Sequence, residues 1–339
     1  MRVLHAVRSD AFAGVESHIA RLARAQHRAG DDVLVVGGDP RRMAAAAGPG
    51  VRTLPSTTVR DVLTAVRRWA AGADVVHGHM TAAEIACATA MVAVDTPLVV
   101  TRHFARGRGS NPVSTAVAAA AGRRVEAQIA ISHYVADTIA GESVVIHPGV
   151  DSTTCTRPAA ERDRVVLVAQ RLEPEKDTDV ALRAFAASGA AARGWRLVVA
   201  GDGAERARLT AMARALGIAE STRFLGHRPD VPALMETAGV LLAPCQIEGL
   251  GLTVLEAMAA ALPVVAVGAG GHLETVGAVA TAALHPAGDA ERAGELLAQL
   301  TSDPDRRDAY AADLQRVQRA HFTPEHQAHE TAAVYRGVV

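Results

Sequence analysis

The stretch PCQIEGLGLTVLEAMAAALPVVAVGAGGHLE, Pro244 to Glu274, holds the most legible chemistry in the chain. Glu248 opens a turn in which Gly249 and Gly251 allow a close backbone approach and conformations that a side chain forbids. Residues Leu252 to Leu262 then read as an apolar helix whose first free N–H groups, at Leu252, Thr253 and Val254, face that turn. Unpaired donors and the helix dipole at such an N-terminus favour a phosphate. Glu256 lies eight positions after Glu248, about one turn into the helix, so both carboxylates can flank one ligand. Pro263 to Val267 reads as a buried parallel strand that opens into a second glycine turn, Gly268 to Gly271, closed by Glu274. Ligands of open α/β sheets collect at such strand ends.

Working outward, 339 residues suit two domains of ordinary size. With 49% hydrophobic and 21% charged residues, the composition is that of a folded globular protein. Residues 1–155 hold 16 arginines against 13 acids, and residues 156–339 hold 19 basic against 23 acidic residues. That mild asymmetry makes no case for nucleic acid, which needs a concentrated basic face. Cys87, Cys155 and Cys245 show no CxxC spacing, so buried free thiols are expected rather than disulfides or zinc. The opening MRVLHAVRSDAFAG has too short an apolar run for a signal peptide, and no stretch reaches membrane-spanning length, so a cytoplasmic protein is expected.

Before that stretch the chain alternates strands and helices. Strands are predicted at residues 2–7, 32–36, 74–77, 97–101, 128–132 and 144–146, and in the second half at 165–169, 195–200, 222–225 and 240–243. Gly14 stands at the first strand-to-helix turn, where helix capping and ligand approach are both open. His77 and His79, two apart at a strand end, face one side; a metal is one reading, but no third ligand is placed by sequence. His103 and Arg102 follow a buried strand, and the basic loop Ala105 to Asn111 comes next. Two parallel α/β halves predict a doubly wound fold with the ligand in a cleft between them. Neither half carries GxGxxG, which disfavours a nicotinamide enzyme.

The string Glu248, Glu256-Ala-Met-Ala259, strand, Gly270-Gly271 and Glu274 resembles the donor-binding signature of the family 4 retaining glycosyltransferases with the GT-B fold. FAGVESHIARLA around Gly14 is similar to the family's first-loop motif, with Ala13 in place of its first glycine. VVTRH matches its T.H strand end, QRLEPEKDTD its GRL...KG turn, with Asp177 in place of glycine, and HPGVD its hinge. Leu250 replaces the usual phenylalanine. The resemblance implies an α/β fold of GT-B architecture, two doubly wound Rossmann-like domains with an inter-domain cleft. Residues 1–155 would form the acceptor-side domain and 156–320 the donor domain, with 321–339 a C-terminal helix packing back on the first.

By the same resemblance, His103, Arg171, Lys176 and Glu248 carry the transfer. Gly14, Gly226, His227, Arg228, Gly249, Leu250, Gly251, Leu252, Thr253, Val254 and Glu256 join Arg171, Lys176 and Glu248 in holding the donor. His77, His79 and Arg102 lie on the acceptor side. The implied partners are a nucleotide diphosphate sugar, with UDP favoured, and a small-molecule or glycan acceptor; no cofactor and no metal are expected. Compact loops look like those of natural-product transferases. The alternatives are a nucleotide-sugar isomerase of the same fold and a non-catalytic nucleotide-sugar binding protein. Lys176 stands out by count as well: it is the one lysine beside 34 arginines.

Overall fold

The computed structural model describes residues 1–105, 112–153 and 157–339. The Arg106 to Asn111 part of the basic loop and Cys155 lie outside them. The chain divides into two units, residues 1–150 with 322–339, and residues 151–321.

In the first unit, β1 (Arg2–Val7), β2 (Asp32–Val36), β3 (Arg52–Leu54), β4 (Val75–His79), β5 (Leu98–Arg102), β6 (Val125–Ala130) and β7 (Val144–Val145) pair in parallel in the order β3-β2-β1-β4-β5-β6-β7. β4 and β5 are buried at every position, as expected where helices cover both faces and a strand need not alternate. The helix Gly14–Arg28 lays Ile19, Leu22 and Ala23 on the core. The last helix, Pro324–Arg336, packs against it. Its entry crosses the end of the sheet closely: a Cβ on Gly149 would stand 2.1 Å from the Thr323 carbonyl carbon. There Val150 N–H donates to Phe322 O at 2.9 Å.

In the second unit, β8 (Val165–Ala169), β9 (Arg196–Ala200), β10 (Thr222–Gly226), β11 (Val240–Ala243), β12 (Val264–Val267) and β13 (Leu284–His285) pair in parallel in the order β10-β9-β8-β11-β12-β13. The two orders are the same winding. Each has its switch point beside its first strand, between β1 and β4 and between β8 and β11, where ligands of such sheets bind.

Two details differ from the sequence reading. The edge strands β3 and β13, three and two residues long, offer no apolar run to mark them, unlike the two-residue β7. The helix expected to reach Leu262 ends at Ala259. Ala261 turns to φ +50°, and buried Arg162 donates to the carbonyls of Ala260 and Ala261 at 2.7 and 3.0 Å. A cation thus meets the negative end of that helix. Among the described residues no helix is long and apolar enough to cross a membrane.

Candidate active site

The second unit brings the ends of β8 and β11 together at its switch point. After β8 a short turn, Pro174–Lys176, carries the lysine. After β11 the chain runs to Glu248. Lys176 Nζ donates to Glu248 Oε2 at 2.7 Å, with side chains 17% and 31% exposed. The counter-charge of Lys176 is therefore a residue 72 positions away, not the surrounding Glu173, Glu175, Asp177 or Asp179. Burial works most strongly against the ammonium, but the charge and hydrogen bond of Glu248, with a contribution from Cys245, hold Lys176 above its ordinary pKa.

The glycines explain how the Glu248 loop is held. A Cβ on Gly270 would meet Glu248 O at 2.7 Å, and one on Gly271 would meet Leu250 Cα at 2.3 Å. Gly271 N–H also donates to Glu248 O at 2.9 Å. The second glycine turn thus lies flat against the first. Gly251 caps the helix at φ +91° with the His272 ring 3.1 Å from where its Cβ would be, a conformation that disfavours any side chain. The helix Leu252–Ala259 then starts with the N–H groups of Leu252, Thr253 and Val254 ahead of its first internal bond, Leu255 N–H to Gly251 O.

The expected donor residues divide by exposure. Glu248, Gly249, Leu252, Thr253 and Glu256 keep accessible surface, whereas Leu250, Gly251 and Val254 are buried. Leu250, at the position of the family's phenylalanine, therefore packs inward and leaves its side chain out of reach of a ligand. Arg171 is largely exposed and pairs weakly with Glu175 at 3.5 Å. On the β10 turn, His227 is exposed and Arg228 is tied to Asp230 at 2.7 and 2.5 Å. Asp177 adopts φ +51°, which accounts for glycine at that place in the family pattern. Asp179 pairs with Arg183 at 2.8 Å.

The first unit builds a different kind of strand end. Gly14 is exposed at the start of its helix, where Ala13 N–H is taken by Glu16 Oε2 at 2.9 Å. His77 and His79 have no exposed surface, and Arg102 is 7% exposed. Arg102 is bound by Glu84 at 2.6 and 3.1 Å and by Gln128 at 2.7 Å. All three lie toward the strand ends of the first unit, as expected of acceptor-side residues, but the two histidines are enclosed and the Arg102 charge is paired internally. His103, also 7% exposed, does border open space, a cavity of about 670 Å³ lined by Arg8, Met80, Thr81, Arg102, His103 and Phe104 among others.

Behind His103 stand residues the sequence reading passed over. His5 bonds His79 at 3.0 Å and Gln26 at 2.7 Å, and His79 bonds His103 at 3.1 Å. His77 lies between the Tyr335 hydroxyl at 2.5 Å and the Thr101 hydroxyl at 2.7 Å, and His18 stands edge-on to His103. Burial pushes His5 down to about 4 and His103 to about 3, and holds His18, His77 and His79 well below the usual range, so all five rings are neutral. The structure also supplies the third ligands that spacing could not: His5, His77 and His79, and His18, His79 and His103, each group nitrogens within 4.8 Å. A visible signal existed. His5 interrupts an apolar strand, and His18 and Gln26, eight apart, sit on the core face of one helix.

Comparison with known proteins follows the same division. Residues 12–154 match the family described as Glycosyltransferase Family 4, and residues 156–315 match Glycosyl transferases group 1. A lipopolysaccharide core biosynthesis mannosyltransferase of Rhizobium leguminosarum bv. viciae is 30% identical over 64% of this chain and 66% of its own length. A 2-deoxystreptamine glucosyltransferase of Streptomyces kanamyceticus is 29% identical over 70% of each chain. HepE of Anabaena, solved with UDP, superposes with a TM-score of 0.80 at 21% identity, covering 99% of this chain and 100% of its own. AviGT4, a glycosyltransferase involved in avilamycin A biosynthesis, gives 0.71 at 20% identity, covering 99% and 97%. With one family half on each sheet and the glutamate, glycine and lysine positions of its signature assembled at one switch point, the chain belongs to the group 1, family 4 glycosyltransferases of GT-B fold.

Proposed function

We propose that the protein is a metal-independent, retaining glycosyltransferase that moves a sugar from a nucleotide diphosphate, with UDP favoured, to an acceptor hydroxyl in natural-product assembly. The observation that carries this reading is the Lys176–Glu248 pair at the β8/β11 switch point, braced by Gly270 and Gly271 beside an open helix N-terminus. The second unit is read as the donor half and the first as the acceptor half. Lys176 is a compact ammonium that can move from Glu248 onto a diphosphate oxygen. Arg171, held only by a long contact at the surface, and the N–H groups at Leu252 to Val254 add to the stabilisation of the leaving group. Once released, Glu248 accepts from hydroxyls of the transferred sugar, and Glu256, one turn deeper, accepts from the ribose.

The two relatives and AviGT4 are named for lipopolysaccharide core biosynthesis, 2-deoxystreptamine glucosylation and avilamycin A biosynthesis, which supports a small-molecule or glycan acceptor. The test is incubation with UDP-glucose and UDP-N-acetylglucosamine, with and without EDTA. Slow UDP release, unchanged by EDTA, is expected. Folded protein that releases UDP from neither donor, or only with added manganese, overturns the donor or the metal-free part of the proposal.

A further inference from the structure

The hydrogen bonds behind His103 have a direction. The Gln26 amide meets His5 Nε2 through Oε1 at 2.7 Å and the Tyr335 hydroxyl through Nε2 at 3.3 Å. Turning the amide over would set two nitrogens 2.7 Å apart, too close for an N–H to nitrogen bond, whereas 2.7 Å suits N–H to oxygen. Gln26 therefore accepts from His5, so His5 carries its proton on Nε2 and has a lone pair on Nδ1. His79 Nε2–H must then donate to His5 Nδ1, which leaves a lone pair on His79 Nδ1. His103 Nε2–H must donate to that. The other branch agrees: Tyr335 receives from Gln26, donates to His77 Nδ1, and His77 Nε2–H donates to Thr101.

We propose that this buried chain, Tyr335 to Gln26 to His5 to His79, sets the tautomer of His103, so that the atom His103 presents at the end of β5 is the Nδ1 lone pair. Gln26, His5 and His79 are positioning residues. Nε2 of His103 is taken by His79, and His103 lines the cavity described above, so Nδ1 is the ring nitrogen left for a ligand there. A neutral lone pair takes a ligand hydroxyl and rejects a carboxylate or phosphate. The site thus selects a hydroxyl of a sugar or acceptor at His103, a conclusion that rests on the transferase reading, while the tautomer itself does not. Burial supports the neutral state throughout: Arg102 adds to it at His103, and the rings lower one another.

His18 provides a control. Gly149 N–H donates to Gln327 Oε1 at 2.9 Å, which leaves the Gln327 amide nitrogen to face His18 Nε2 at 3.3 Å. His18 is thus oriented independently of the chain. The experiment is long-range proton–nitrogen NMR of histidine-labelled protein at neutral pH without substrate, with His103 signals identified by their loss in His103→Asn. Expected is a protonated Nε2 and an unprotonated Nδ1 on His103. Gln26→Met, or Tyr335→Phe should the first fail to fold, mixes the two tautomers and lowers UDP release from UDP-glucose about tenfold. Gln327→Met leaves the His103 tautomer unchanged. A proton on His103 Nδ1 in the unmodified protein, or an unaltered spectrum in both chain variants, overturns the proposal. Absence of UDP release with the expected spectrum counts against the transferase reading alone.

Discussion

At the end of β4 in one unit stands an enclosed network of neutral imidazoles, and at the end of β11, its counterpart in the other, stands a partly exposed ion pair. Both are the fourth strand of the same winding, beside the same switch point. The backbone topology is repeated, but the electrostatics are opposite. Closed polar groups must satisfy one another because nothing else will, so the first unit holds its strand-end residues in one arrangement. The Lys176–Glu248 pair keeps contact with water and can exchange partners at little cost. The proposed hydroxyl contact at His103 calls for the first property, and the proposed release of a nucleoside diphosphate calls for the second.

Each unit carries one tryptophan, Trp69 in the first and Trp195 in the second, so variants keeping one at a time report each unit's unfolding. The largest effect is expected from Glu84→Gln. It leaves the buried Arg102 charge without its carboxylate, and urea titration followed by Trp69 should show a loss of about 3–5 kcal/mol. The Trp195 transition should stay in place; a loss below about 1 kcal/mol would show that the Arg102 site is open to water.

Lys176→Ala tests the open half. Turnover should fall about a hundredfold or more, with Arg a poor substitute because a planar fork replaces a compact ammonium. Stability should change little. Near-normal turnover of the alanine variant with a verified donor would reduce the Lys176–Glu248 pair to a surface contact.

Acid sharpens the contrast further. The five enclosed histidines of the first unit have folded pKa values below the unfolded 6.5, so below pH 6.5 the unfolded chain binds more protons. Their contribution is complete above pH 6.5 and declines as the pH falls toward about 4 for His5 and about 3 for His103. Each contributes a slope of roughly 1 kcal/mol per pH unit. The second unit has two such groups, His272 and His285. The Trp69 midpoint should therefore drop faster than the Trp195 midpoint on acidification, and parallel curves would contradict the enclosure of the network. The smallest effect is expected at Asp177→Gly, which relieves φ +51° but gives up a 3.4 Å bond to Gln246 N–H. The Trp195 transition should shift by less than about 1 kcal/mol.

Legibility was uneven for a physical reason. The Glu248 to Glu274 stretch could be read because its glycines, helix start and strand end are local in sequence, and local backbone demands dictate residue types directly. β3 and β13 could not, since Arg52–Leu54 and Leu284–His285 form no apolar run, whereas the two-residue β7 opens the run Val-Val-Ile. Lys176 was noticeable through its solitude among arginines, but its partner was not, because a lysine beside four acids gives no hint of a fifth residue 72 positions away. His77 and His79 were visible as a pair, but their enclosure was not, because exposure at a strand end depends on what packs over it.

By itself the sequence determined the alternation of strands and helices, the glycine turns, and the positions of Glu248, Glu256, Lys176 and His103. These follow from hydrophobic period and backbone sterics, which act over a few residues. Only the tertiary structure decided that Lys176 meets Glu248, that Arg102 is taken up by Glu84, and that Gln26, His5, His79 and Tyr335 close into one hydrogen-bonded chain behind His103. The last of these joins strand β1, strand β4, the first helix and the last helix, and a partner for a buried polar group is chosen by proximity in three dimensions, which no local pattern encodes.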